Sequence, residues 1–145
     1  MENADTINLL QECDAGTKMA VASIEETLDK LQDKKLIDLL CESKRHHEKL
    51  GNDLHELLRE YQVEDKDPNL MAKGMSWFKT NMKVGMSEDS DKTAAGLMTD
   101  GCDMGIKSLH KYMNQYKDAN HSAKAICSRL ISIEETLRDD LRKYL

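Results

Sequence analysis

Leu10, Cys13, Thr17, Ala20, Ile24 and Leu28 recur at intervals of three and four residues. That spacing puts them on one face of an α-helix. We expect this first helix to start at an Asp5 or Thr6 N-cap and to run to about Leu31. A polar turn, Gln32-Asp33-Lys34, supplies Asp33 as the next cap. A second helix then covers about Lys35 to Tyr61, with Leu36, Leu40, Ser43, His47, Leu50, Leu54 and Leu57 facing inward. A turn this short makes the two helices antiparallel neighbours.

The pattern changes between residues 62 and 91. Asp67-Pro68 reads as an N-cap followed by a proline at the first helical position. Leu70, Met71, Met75, Trp77, Phe78 and Met82 follow, before Gly85 and the polar stretch 87–91. So long a connection is expected to be a crossover with a short helix of its own, lying across the other helices. A third long helix is expected over about Lys92 to Tyr116, with Leu97, Cys102, Gly105, Leu109, Tyr112 and Tyr116 as its stripe. After the turn Asp118-Ala119-Asn120, a fourth should continue to the last residue, carrying Ala123, Ile126, Leu130, Ile133, Leu137, Leu141 and Tyr144.

Two segments of the first half return in the second. Cys13-Asp14-Ala15-Gly16-Thr17-Lys18 is similar to Cys102-Asp103-Met104-Gly105-Ile106-Lys107, at an offset of 89. The stretch His47 to Leu54 matches Glu134 to Leu141 less closely, at an offset of 87. Nearly equal offsets fit duplication of a helix hairpin. The identical hexapeptides Ser23–Leu28 and Ser132–Leu137 extend no further in either direction and read as coincidence between amphipathic helices. The expected fold is therefore all-α, one domain over 1–145. It is a four-helix bundle built from hairpins at about 5–61 and 92–145, joined by the crossover at 62–91.

With these motifs in view, the chain resembles a known family. Leu9-Leu10-Gln11-Glu12-Cys13-Asp14-Ala15-Gly16 is similar to the opening of the bacterial domain-of-unknown-function family 2383, within the ferritin-like superfamily. Met71-Ala72-Lys73-Gly74-Met75-Ser76-Trp77-Phe78-Lys79 resembles that family's crossover segment. The likeness runs from about residue 6 to 145, and what it implies is a ferritin-like fold.

Composition sharpens the picture. Aromatic residues are 4% and there is one proline, which leaves little to build strands, whereas nine methionines supply helix-forming, adaptable core side chains. A net charge of −6 argues against duplex DNA or an anionic membrane as the main partner. No long apolar run reads as a membrane span, and the N-terminus lacks signal-peptide character, so a cytoplasmic location is expected.

Ferritin-like di-iron sites draw carboxylates from two helices and a Glu-x-x-His pair from each of the other two. No Glu-x-x-His occurs in this chain. The resemblance also implies acidic residues just after the repeated glycines, and Thr17 and Ile106 stand there. An irregular ligand set would have to draw on Asp14, His47, Asp103 and Glu134, of which His47 and Glu134 sit at equivalent repeat positions and could meet as an ion pair. His46 and His47 point about 100° apart and cannot chelate one ion together. His55, His110 and His121 lie among charged neighbours and read as solvated; Asp118 and His121 have ligand spacing but fall across a turn. Cys13, Cys41, Cys102 and Cys127 read as reduced, half-buried thiols. They fall at two heights more than ~10 Å apart, too far for one zinc ion with sulfurs at ~2.3 Å. No phosphate loop or Gly-x-Ser-x-Gly motif points to hydrolase chemistry.

No catalytic, cofactor-binding or metal residue is therefore assigned, and no cofactor is expected. The expectation is a non-enzymatic structural or interaction protein, homo-oligomeric and dimeric; a bundle face or the Met- and Trp-bearing connector could supply the apolar patch, against the simpler reading that the connector packs across its own bundle. The alternative is a metal-binding, iron- or manganese-dependent member of the ferritin-like group. A third possibility is a helical binding module for a peptide or small apolar ligand, which a ligand-sized cavity would favour.

Overall fold

The structure is a computed structural model that describes residues 3–63, 68–85 and 89–145, with the side chains of 73–83 in its third helix. These residues are all-helical: α1 (Ala4–Leu28), α2 (Lys34–Glu60), α3 (Pro68–Gly85), α4 (Ser90–Gln115), α5 (His121–Leu141) and a final 3₁₀ turn, Arg142–Tyr144. The arrangement is compatible with a helical bundle. No helix among the described residues is long and apolar enough to cross a membrane.

Side chains tie each end of the bundle. At one end Asn3 caps α1 by accepting from the backbone N–H groups of Asp5 and Thr6. This corrects the expected cap, because Asp5 and Thr6 are engaged elsewhere. The Asp5 carboxylate accepts from Asp118 N at 3.1 Å, and the buried Thr6 hydroxyl accepts from Asn120 N at 2.8 Å. Asn120 caps α5 and also donates to the Tyr61 hydroxyl at 2.9 Å. At the other end the Asp91 carboxylate accepts from Gln32 N and Asp33 N, at 2.8 and 3.0 Å. Asp33 caps α2 as expected.

These ties set the directions of the helices. The start of α1, the end of α2 and the α4–α5 turn lie together; the α1–α2 turn lies with the start of α4. The chain thus leaves α2 at one end and enters α4 at the other. Between them α3 packs on α1 and α4. Its Phe78 and Met82 are buried while Trp77 is half exposed. Gly74 of α3 faces the Met19 side chain of α1, whose flexible methyl end occupies the space a Cβ there would take. Pro68 opens α3 as expected; the proposed cap at Asp67 and the stretch 86–88 lie outside the described residues.

Most of the expected stripes are buried, with shifts at the helix ends. In α2, Leu58 is buried rather than Leu57, and in α4, Ala94, Ala95 and Met98 are buried where Leu97 was expected. The first helix stops at Leu28, yet Leu31 still reaches the core from the turn. The last stops at Leu141 and tightens into the 3₁₀ turn.

The core forms two clusters. One, around Leu9, Cys13, Leu50, Leu54, Cys127 and Leu130, lies toward the capped start of α1. The other, around Ile24, Leu36, Leu40, Phe78, Met98 and Leu141, lies toward the α1–α2 turn. Between them come the buried polar side chains Asp14, Thr17, Ser43, His47 and Glu134. Among the described residues, this layer holds all the buried carboxyl and imidazole side chains, those of Asp14, His47 and Glu134.

Candidate functional site

His47 in α2 and Glu134 in α5 meet in the polar layer, Nε2 to Oε1 at 2.9 Å, with His47 fully buried and Glu134 nearly so. On its other side His47 Nδ1 lies 2.8 Å from the Ser43 carbonyl oxygen. A carbonyl only accepts, so Nδ1 carries a proton. Nε2 then either donates to an ionised Glu134 or accepts from a protonated one. Two bare acceptors at this distance would repel, so the pair holds one shared proton and is neutral in both forms. Burial, then the neighbouring Glu134 carboxyl, pushes the Cys102 thiol well above its ordinary range.

The other expected ligand residues do not join the pair. Asp14 is buried and held by Lys18 at 2.9 Å, with His55 Nε2 at 3.9 Å. His55 is therefore not purely solvated. Asp103 turns outward to Arg138 at 3.4 Å. His46 is exposed near Glu42, and His110 and His121 are exposed. Thr17 donates its hydroxyl to the Cys13 carbonyl in its own helix, and Ile106 packs against the first core cluster. Among the described residues no group of three or more His, Cys, Asp or Glu side chains is arranged to hold a metal ion.

The cysteines separate as their heights suggest. Cys13 lies with Cys127 in the first core cluster, and the Cys127 thiol donates to the Leu109 carbonyl. The hydrogen bond to Cys127, then burial, raises the Cys13 thiol far above its ordinary range. Cys102 belongs to the other core cluster, and Cys41 is half-buried.

Above the polar layer a groove of about 700 Å³ opens between α1 and α4, under the edge of α3. It is wide because small residues face it: Ala15 and Gly16 on α1, Gly101 and Gly105 on α4. Its apolar lining includes Met19, Trp77, Phe78, Met98, Met104 and Tyr112. Glu134 lies at its floor, and a Cβ at Gly105 would sit 3.9 Å from Glu134 Oε2. The charged groups that line it are Glu12, Asp14, Lys18 and Glu134. Stripe reasoning missed this groove, since each helix alone shows only small residues where the space opens. The signal available was the pairing of two such stretches, Ala15-Gly16 and Gly101 to Gly105, with a methionine- and tryptophan-bearing connector.

No family model, no curated protein and no solved structure matches this chain.

Proposed function

We propose that this chain is a non-enzymatic binding protein on a ferritin-like scaffold, and that the groove between α1, α3 and α4 takes a small apolar molecule. The carrying observation is the groove itself. Its volume of about 700 Å³ falls within the ~300–1,000 Å³ of small-molecule sites, which are concave, mostly apolar and punctuated by a few polar groups. Two large apolar side chains at this groove, Trp77 and Met104, remain 50% and 65% exposed. A bound apolar molecule would cover them, and methionine adapts its shape to an irregular ligand.

The ferritin-like reading has separate support. The chain must travel the length of the bundle between α2 and α4, as a duplicated hairpin with a long crossover requires. His47 and Glu134, matched at an offset of 87, face each other as equivalent residues do across a two-fold axis. In this reading α3 is the crossover helix. The bacterial family resemblance stands with it as a proposal. At the centre, where the scaffold elsewhere carries carboxylate ligands, this chain has a neutral His–Glu pair, Thr17 and Ile106. That donor set suits structure and recognition rather than a pair of metal ions.

The test is titration of 1-decanol, followed by the emission of Trp77, the only tryptophan. Saturable binding of one molecule per chain is expected, abolished by Gly101→Leu. A Cβ at Gly101 meets nothing within 4 Å, so the larger side chain fills the groove without a backbone clash. Binding unchanged by that substitution overturns the proposal. So does a dimer that resists the probe and buries Trp77, since a second copy would then be the occupant.

A further inference from the structure

We infer that the groove selects an elongated apolar molecule ending in a neutral hydrogen-bond donor, a hydroxyl, which Glu134 receives at the groove floor. The inference rests on the groove being a ligand site, as proposed above, and adds the chemistry of what enters it.

Three observations carry it. First, Glu134 is only 7% exposed yet lines the groove, so its accessible part faces that space. Second, its acceptor capacity is not exhausted. A carboxyl group offers about four lone-pair positions; His47 takes one at Oε1. Oε2 lies beside Gly105, where the absence of a side chain leaves the approach open. Third, the charges around the groove floor are already balanced. His47 and Glu134 form a neutral pair, and Asp14 is neutralised by Lys18 at 2.9 Å. Glu12 is half-buried farther along α1 and already has a partner of its own.

Balanced charge decides between head groups. A carboxylate or an ammonium carried into this floor would be an extra buried charge without a counter-ion, a costly arrangement. A purely apolar end would cover Glu134 Oε2 with nothing that donates to it, leaving a buried acceptor unsatisfied. A hydroxyl escapes both penalties, since it donates to Oε2 and brings no charge. The shared proton between His47 and Glu134 makes this robust, because Glu134 retains acceptor capacity in either form of the pair.

The experiment compares four probes of equal chain length by Trp77 emission: 1-decanol, 1-chlorodecane, decylamine and decanoate. Decanol should bind about tenfold more tightly than each of the others. In the double variant H47L/E134L the advantage of decanol over chlorodecane should vanish while chlorodecane binding persists. Four equal affinities, or tightest binding by decylamine or decanoate, overturn the head-group assignment and leave the groove as a site. Silence from all four probes overturns the binding reading itself. If the double variant does not fold, the wild-type ranking decides alone.

Discussion

Replacing His47 by leucine removes the group that faces Glu134 Oε1 at 2.9 Å and leaves a carboxyl that is 7% exposed without its principal partner. Breaking a buried pair from one side typically costs ~3–5 kcal/mol, because the remaining group is desolvated and uncompensated. E134L has the same consequence from the other side: His47 Nε2 loses Glu134 Oε1, its side-chain partner, in a residue with no solvent exposure. Replacing both partners removes the attraction and the desolvation cost together, and such exchanges are near neutral or stabilising. We therefore expect each single variant to lose about 3 kcal/mol and H47L/E134L to lose less than either, a coupling of at least ~3 kcal/mol. Urea unfolding followed by circular dichroism measures this directly, provided the m-values agree among the four proteins. Additive losses would mean that the two side chains do not act as a pair. The polar layer, and the neutral charge at the groove floor, would then have to be abandoned.

Four further expectations use other parts of the structure. Leu50→Ala and Leu137→Ala should each cost ~2–5 kcal/mol by thermal or urea unfolding, since both side chains are buried in the core; wild-type melting of both would displace the core stripes. Gln62→Gly should stabilise the chain by about 1 kcal/mol. Gln62 has φ 56° just after α2, where Val63 N donates to Leu58 O and Gln62 N to Arg59 O, the cap geometry that favours glycine; no gain in midpoint would argue against it. Burial and Glu134 keep Cys102 protonated in the fold, whereas the unfolded thiol ionises near its ordinary value. The folded state then binds more protons at alkaline pH, so this contribution is complete below about pH 8 and is lost as pH rises, by up to ~1.4 kcal/mol per unit. C102A should show a shallower alkaline slope of stability, and an identical slope would refute the assignment. Elemental analysis of protein purified without a tag should find iron, manganese and zinc well below one per chain; near two irons per chain would revive the metal-dependent alternative.

Helix α2 was the most legible part of the sequence. Leu36, Leu40, Ser43, His47, Leu50 and Leu54 keep one spacing, and all are buried. The Asp33 cap was legible for the same reason, being local. The ends were harder to read, because long-range partners decide them. Asp5 and Thr6 look like caps but are recruited by Asp118 and Asn120, more than a hundred residues away, which leaves Asn3 to cap α1. Helical stripes also drift, so Leu57 and Leu97 sit beside the core while their neighbours Leu58 and Met98 enter it. His47 and Glu134 could be named from their matched positions, whereas the roles of Asp14 and Asp103 could not. Both follow equivalent cysteines of the repeat, yet Asp14 is buried and paired with Lys18 while Asp103 is exposed and paired with Arg138. The groove was least legible, since it exists only once α3 docks through Gly74 against Met19 and two small-residue faces are set opposite each other.

The glycine amides offer the most direct test of the binding reading, because they resonate in an uncrowded region of an amide NMR spectrum. Gly16, Gly74, Gly101 and Gly105 line the groove, whereas Gly51 and Gly96 lie outside it. Addition of 1-decanol to the labelled chain should shift the first four and leave the last two in place. Unmoved groove glycines, or shifts confined to Gly51 and Gly96, would contradict the account.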